Sequence, residues 1–311
     1  MSILITGSNG LVGQAFRNYL QELKLQSLYY CPTSGEVDLT DYQQTYRYFK
    51  QIKPEIVVHL AANVGGLFKN MNFKAEMFDK NLLMNFNVLK VSHEVGVKKV
   101  ISCLSTCIFP DKTTYPINEK MLHDGPPHFS NDAYAYAKRM LDVQSRAYYE
   151  QYGDKFISII PTNIYGEHDN YHLENAHVIP ALIHKCYLAK QENKIFQVMG
   201  TGKPLRQFIY AKDLAKLIYW VLKNYDEIEP LILSVPEKDE VSIGTVATRI
   251  AQEFGMENQM EFVGGEDGQY QKTADNSKLM GLIGEFEFTP IEEGIKNSVR
   301  WFEENYENCR K

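Results

Sequence analysis

At 311 residues, with 44% hydrophobic and 23% charged side chains, the chain is long enough to bury a large core and too apolar for extended disorder. Its formal net charge of −6 and pI of about 5.8, with no block of Lys or Arg, exclude a general attraction to nucleic acid. An anionic ligand therefore has to be met by a few placed cations.

Five scattered cysteines (Cys31, Cys103, Cys107, Cys186, Cys309), with no C-x-x-C pair, argue against a disulfide framework and against a metal site. The first residues lead straight into a strand, leaving no room for a signal peptide, and no apolar run approaches the roughly 18 residues needed to span a bilayer. A cytoplasmic protein without membrane association is the expectation.

Along the first half, short apolar runs alternate with amphipathic stretches, the pattern of βαβ units in a parallel sheet. Residues 3–6 read as the first strand and 11–23 as a helix, with Leu11, Val12, Ala15, Phe16, Tyr19, Leu20 and Leu23 at helical spacing. Residues 55–60 read as a buried strand, 81–95 as a helix stopped at Gly96, 99–104 as a strand, 133–152 as a long helix and 156–160 as a strand. After about residue 166 the alternation gives way to loops rich in Asn, His, Gly and Pro (166–175, 200–204, 263–268), although 231–235 still reads as a sheet strand. The expected architecture is α/β: a Rossmann-type doubly wound parallel sheet with a smaller C-terminal α/β substrate domain. Residues 1–165 would bind the dinucleotide, with 207–235 returning to them, while 166–206 and 236–311 would form the substrate domain across a crevice.

Between the first strand and helix stands Gly7-Ser8-Asn9-Gly10-Leu11-Val12-Gly13, a G-x-x-G-x-x-G spacing. Glycines let such a turn bring backbone N–H groups against a pyrophosphate, whose charge the helix N-terminus favours. A tight structural turn also wants glycine, but the position between strand and helix favours dinucleotide binding. NAD binders usually carry an acid about 20 residues later. Here none occurs between Glu22 and Glu36, which favours NADP(H). No Arg or Lys follows the second strand either; Cys31, Pro32, Thr33 and Ser34 do, and their hydroxyls are the available partners for a 2′-phosphate.

Tyr134-Ala135-Tyr136-Ala137-Lys138 contains Y-x-x-x-K, which on a helix places Tyr134 and Lys138 on one face. A cation about 4 Å from a tyrosine, at an effective dielectric of about 20, favours the phenolate by about 4 kcal/mol, enough to bring its titration toward neutrality. Such a pair can pass a proton to a carbonyl oxygen. With the glycine loop and the preceding Ser105-Thr106, the chain resembles the extended short-chain dehydrogenase/reductases. That resemblance implies Tyr134 as proton donor, Lys138 as the residue that orients the cofactor ribose, and Ser105 as the hydroxyl that polarises the carbonyl.

Beyond the 99–104 strand, Cys107 stands where similar sugar 4,6-dehydratases carry an acid. An unperturbed thiol is only roughly 3% thiolate near neutrality, so a proton-carrying role requires a partner; His177 is the candidate. A buried small hydrophobe and a loop histidine are the plainer readings. The stretches 60–66, 105–110, 161–170 and 177–182 are similar to the GDP-L-fucose synthase family, the GDP-4-keto-6-deoxymannose 3,5-epimerase/4-reductases, almost end to end. The resemblance implies epimerisation by Cys107 and His177 and cofactor contacts at Leu60, Ala61, Ala62, Pro161, Asn163, Ile164 and His177. It also implies a GDP-sugar substrate, with Arg206 on the diphosphate and Lys185, Asp267 and Lys272 as further contacts, and a homodimer formed through two long helices. Departures are Met199 for a tryptophan, Lys185 for an arginine, and Asn9 for a basic residue of bacterial glycine loops. Competing readings are a nucleotide-sugar 4-epimerase, reductase or dehydratase, and a non-catalytic NADP-sensing protein.

Overall fold

The computed structural model describes residues 2–265, 267 and 269–311, with Leu67 placed by its backbone only; Met1 and, in the expected 263–268 loop, Glu266 and Gly268 lie outside the described residues. In chain order the first half comprises β1 (Ile3–Thr6), α1 (Leu11–Glu22), β2 (Tyr29–Tyr30), α2 (Tyr42–Ile52), β3 (Ile56–His59), α3 (Leu67–Asn72), α4 (Lys74–Glu94), β4 (Lys99–Cys103), α5 (Asp132–Tyr152) and β5 (Lys155–Pro161). The second half adds β6 (Asn163–Tyr165), α6 (Val178–Gln191), β7 (Phe196–Val198), β8 (Leu205–Arg206), β9 (Phe208–Tyr210), α7 (Ala211–Asn224), β10 (Leu231–Leu233), β11 (Val241–Ser242), α8 (Ile243–Phe254), β12 (Met260–Phe262), α9 (Ser277–Ile283) and α10 (Ile291–Glu304).

Six strands form one sheet in the order β10-β5-β4-β3-β1-β2, every pairing parallel. Its inner strands are continuous apolar runs because helices cover both faces. Alternation sorts the side chains: Ile3 and Ile5 enter a core with Phe16 and Leu20 of α1 and Leu214 and Ile218 of α7. Leu4, Val57 and Val100 point the other way, against Phe49 of α2, Leu89 of α4 and Leu141 of α5. Since all six strands run the same way, the loops after β1, β2, β3, β4 and β5 emerge at a single edge.

The expected elements of this half are present, with one substantial shift: α4 begins at Lys74, not at residue 81. Polar Asp79 and Lys80 interrupt the apolar spacing, but Met77 is fully buried and carries the helix further back. In the second half, regular helices persist while the strands shorten to two- and three-residue pairs, β6 with β9, β7 with β12 and β8 with β11. These surround a third core in which Tyr165 and Tyr171 pack with α6, α8 and α10.

At the opposite edge of the sheet, Lys99 is buried at the start of β4. Its Nζ donates to the carbonyls of Val221 (2.9 Å), Leu222 (3.0 Å) and Tyr225 (2.7 Å) at the end of α7 and lies 3.0 Å from Asp226 Oδ1. A cation on those unsatisfied carbonyls also complements the helix dipole. Lys99→Met leaves the three carbonyls without their partner, while Asp226 keeps Lys155 at 2.6 Å, and we expect a loss on the order of 3 kcal/mol, read from the urea unfolding midpoint at unchanged slope.

Candidate active site

Gly7 starts the loop after β1 with φ of +69°, and a Cβ there would lie 2.6 Å from the Ala61 nitrogen. A Cβ on Gly13 would sit 2.3 Å from the Gly7 carbonyl oxygen. The loop is therefore folded onto the end of β3 and the start of α1 as tightly as glycine allows. No side chain caps α1 at Gly10, and its first turn carries no acid. That leaves backbone donors facing out of the loop, so the residues present fit a dinucleotide pyrophosphate.

Behind the loop runs a buried chain of hydrogen bonds. Asn85 of α4 donates its Nδ2 to the Ala137 carbonyl at 3.2 Å and accepts at Oδ1 from His59 Nε2 at 3.0 Å. That fixes the tautomer: Nδ1 carries no proton and accepts from the Thr6 hydroxyl at 2.8 Å. Burial and the Lys138 charge push the His59 pKa down to about 3, so the ring is neutral. One network thus joins the residue before Gly7 to the residue before Lys138.

Tyr134 and Lys138 lie one turn apart on α5. Lys138 is 2% exposed, and its Nζ donates to the Cys103 carbonyl at the end of β4 at 2.8 Å. Burial holds the lysine below its ordinary pKa, against the influence of Cys103 and Cys107. Tyr134 goes the other way from expectation: burial, then Cys107 and Cys103, hold the phenol well above its ordinary value. The lysine directs its ammonium to a carbonyl and does not act as the phenolate's counter-ion in the chain alone.

Ser105 opens a short turn over Thr106–Ile108 and accepts from the Cys107 N–H at 3.4 Å. Burial pushes the Cys107 thiol up, while a hydrogen bond with Ser105 and the charges of Lys272 and Lys138 pull it down. Lys272 lines a small pocket with Cys107, Thr106, Tyr115, His128 and Gln269, and burial holds its pKa below the ordinary value. Ser105, Cys107, Tyr134, Lys138 and Lys272 are therefore brought together.

His177 stands on a different element from that group. It is the N-cap of α6, with a solvent-exposed side chain whose pKa is lowered by the surrounding protein. Its segment docks on the loop after β3, where the Gly66 N–H donates to the Asn175 carbonyl at 2.9 Å. Leu60, Ala61 and Ala62 follow β3, while Pro161 ends β5 and Asn163 and Ile164 form β6, so all stand along the carboxyl edge of the parallel strands.

Arg206 donates to the carbonyls of Leu205 (2.6 Å) and Gln269 (2.7 Å), and burial lowers its pKa. Asp267 accepts from the Thr201 N–H (2.9 Å) and hydroxyl (2.6 Å), which gives it a structural task in pinning the 200–202 loop. The Lys185 side chain, half-buried on α6, makes no hydrogen bond or ion pair among the described residues. Met199 is 65% exposed.

Sequence reasoning missed Arg139. It is buried, with Nε on the Ile108 carbonyl at 3.0 Å and Nη1 on the Gly125 carbonyl at 2.9 Å, so α5 clamps the turn that carries Cys107. The only available signal was its place beside Lys138. Among the described residues no three His, Cys, Asp or Glu side chains form a group able to hold a metal ion, and no helix is long and apolar enough to cross a membrane.

Removing the Lys272 charge withdraws an influence that lowers the Cys107 pKa, so that pKa rises further. In Lys272→Ala, we expect iodoacetamide to label Cys107 roughly three- to tenfold more slowly at slightly alkaline pH, followed site by site by mass spectrometry, with Cys309 as internal reference.

Residues 3–238 match the model of the NAD dependent epimerase/dehydratase family. The chain is 55% identical to a GDP-L-fucose synthase of Dictyostelium discoideum, over 100% of this chain and 98% of that one. It is 47% identical to a probable GDP-L-fucose synthase of Drosophila melanogaster, over 99% of each. A crystal structure of a GDP-L-fucose synthetase from Naegleria fowleri bound to NADP superimposes with a TM-score of 0.94 at 48% identity, covering 100% of this chain and 95% of that one.

Proposed function

The chain belongs to the NAD dependent epimerase/dehydratase family, and on that premise we propose that it acts as a GDP-L-fucose synthase, epimerising GDP-4-keto-6-deoxy-D-mannose at C3 and C5 and reducing C4. The observation that carries this reading is the gathering of Ser105, Cys107 and Tyr134 around the end of β4, with Lys138 beneath and Lys272 beside them. Bound NADPH supplies the reducing equivalent for C4.

A ketone at C4 acidifies both neighbouring carbons. Ser105 and a protonated Tyr134 donate hydrogen bonds to its oxygen and stabilise the enolate formed when either carbon loses a proton. Cys107 is the proton carrier within reach of that oxygen site, and Lys272 eases its ionisation. His177, on the facing α6, is the second carrier once the sugar lies between them. When C4 is reduced, Tyr134 gives its proton to the oxygen, with Lys138 holding the ribose of the dinucleotide. Arg206 and Lys185 meet the diphosphate, while Asp267 keeps the loop beside them in place.

We also propose the division of labour read from the sequence: residues 1–165 and 207–235 hold the cofactor, and 166–206 and 236–311 the sugar nucleotide. The protein works in the cytoplasm as a homodimer. Leu83 and Phe86 on α4 with Tyr136 and Val143 on α5 support the dimer, being exposed apolar side chains on adjacent long helices.

Incubation with GDP-4-keto-6-deoxymannose and NADPH tests the reading: nicotinamide absorbance falls and GDP-L-fucose forms, whereas GDP-rhamnose as product would mean reduction without epimerisation and would refute it. Cys107→Ser is expected to slow deuterium exchange at C3 and C5 by about 10²-fold or more with cofactor affinity retained; Tyr134→Phe should chiefly slow reduction, by a similar factor. Phe86→Glu with Val143→Glu is expected to halve the mass seen by light scattering.

A further inference from the structure

Near the end of β2 the structure supplies a cation that the sequence left unassigned. In a Rossmann-type sheet the chain just past the second strand lies beside the adenosine ribose; an acid there binds the hydroxyls, and a nearby arginine accommodates a 2′-phosphate. β2 ends at Tyr30, and Cys31, Pro32, Thr33 and Ser34 follow without a cation. Thr33 is already committed, since its N–H (2.7 Å) and hydroxyl (2.9 Å) both donate to Glu36 Oε2.

Arg17, in the second turn of α1, faces this place. Its Nη1 donates to Asn9 Oδ1 at the tip of the glycine loop at 3.3 Å. Its Nε is buried with no hydrogen-bond partner, and among the described residues the guanidinium makes no ion pair. On the other side its charge acts on the Cys31 thiol, pulling down a pKa that burial raises. The half-buried guanidinium therefore lies between the loop tip and the residue after β2, without an anion among the described residues. A guanidinium with no anionic partner offers its outer N–H groups for bidentate contact with a phosphate.

We propose that Arg17 is the residue that reads the 2′-phosphate of the dinucleotide, with Asn9 holding its guanidinium at the ribose. Asn9 thereby contributes as an acceptor that orients the cation, in place of the basic side chain of bacterial loops. The inference rests on the reading that the coenzyme is NADPH and adds to it the group that discriminates against NADH.

Fluorescence titration of the full chain with NADPH, NADH and 2′,5′-ADP tests it. Arg17→Met keeps the apolar stem, and we expect it to weaken NADPH and 2′,5′-ADP about tenfold or more while NADH changes less than about twofold. Arg17→Lys is expected to regain part of the NADPH affinity and none for NADH. Equal losses for both coenzymes would mean that Arg17 only shapes the loop and would overturn the proposal, as would NADPH affinity unchanged in Arg17→Met. A wild-type protein that held NADH as tightly as NADPH would overturn the coenzyme reading itself, before any variant is made.

Discussion

A buried ammonium needs an oxygen, and in this chain the oxygen nearest to Lys138 is the carbonyl of Cys103. That single hydrogen bond fixes α5 against the end of β4, since moving the helix would strand a cation in low-dielectric surroundings. Everything placed at the site follows from the docking. Tyr134 is carried one turn away on the same helix, and Arg139, the next residue along, grips the Ile108 carbonyl beyond Cys107. Helix and turn are stapled at both ends, leaving little freedom for the groups between.

The electrostatic balance is shared across these groups. Burial raises the pKa of Tyr134 and Cys107 and lowers those of Lys138 and Lys272. Neutral forms are thus favoured for both acids, which in the proposed reaction leaves Tyr134 able to donate a hydrogen bond to the ketone oxygen and leaves Cys107 dependent on the Lys272 charge to ionise. Water would weaken that donation; a desolvated pocket strengthens it. Neutral His59, with a fixed tautomer, adds dipoles behind the site without a second positive charge beside Lys138.

Much of the first half was legible because local rules act there without interference. Buried parallel strands are continuous apolar runs, the glycine loop is a contiguous motif, and Tyr134 and Lys138 meet through helical spacing alone. The helix start at Lys74 was not legible, since polar residues hid a stretch whose burial comes through Met77. Nor were the short strands of the second half, whose pairing depends on neighbours distant in sequence, as when Leu205 and Arg206 meet Ser242 and Val241.

Side-chain tasks divided in the same way. Residue types suggested that Cys107 and Tyr134 do chemistry, but the partner of Lys138 is a backbone carbonyl that any sequence would possess. Arg139 reaches across 31 positions to find its acceptor. Asp267, expected to contact the substrate, also holds Thr201 and so shapes a loop, and the Tyr134 pKa moved against expectation because burial disfavours its phenolate.

The protonated state of Cys107 has a bearing on durability. Peroxides attack sulfur as thiolate, and an acid kept in its thiol form at rest presents little of that species. In the role proposed for it, Cys107 is thereby spared from becoming a sulfenic acid between turnovers, and the protection comes from the burial that raises its pKa.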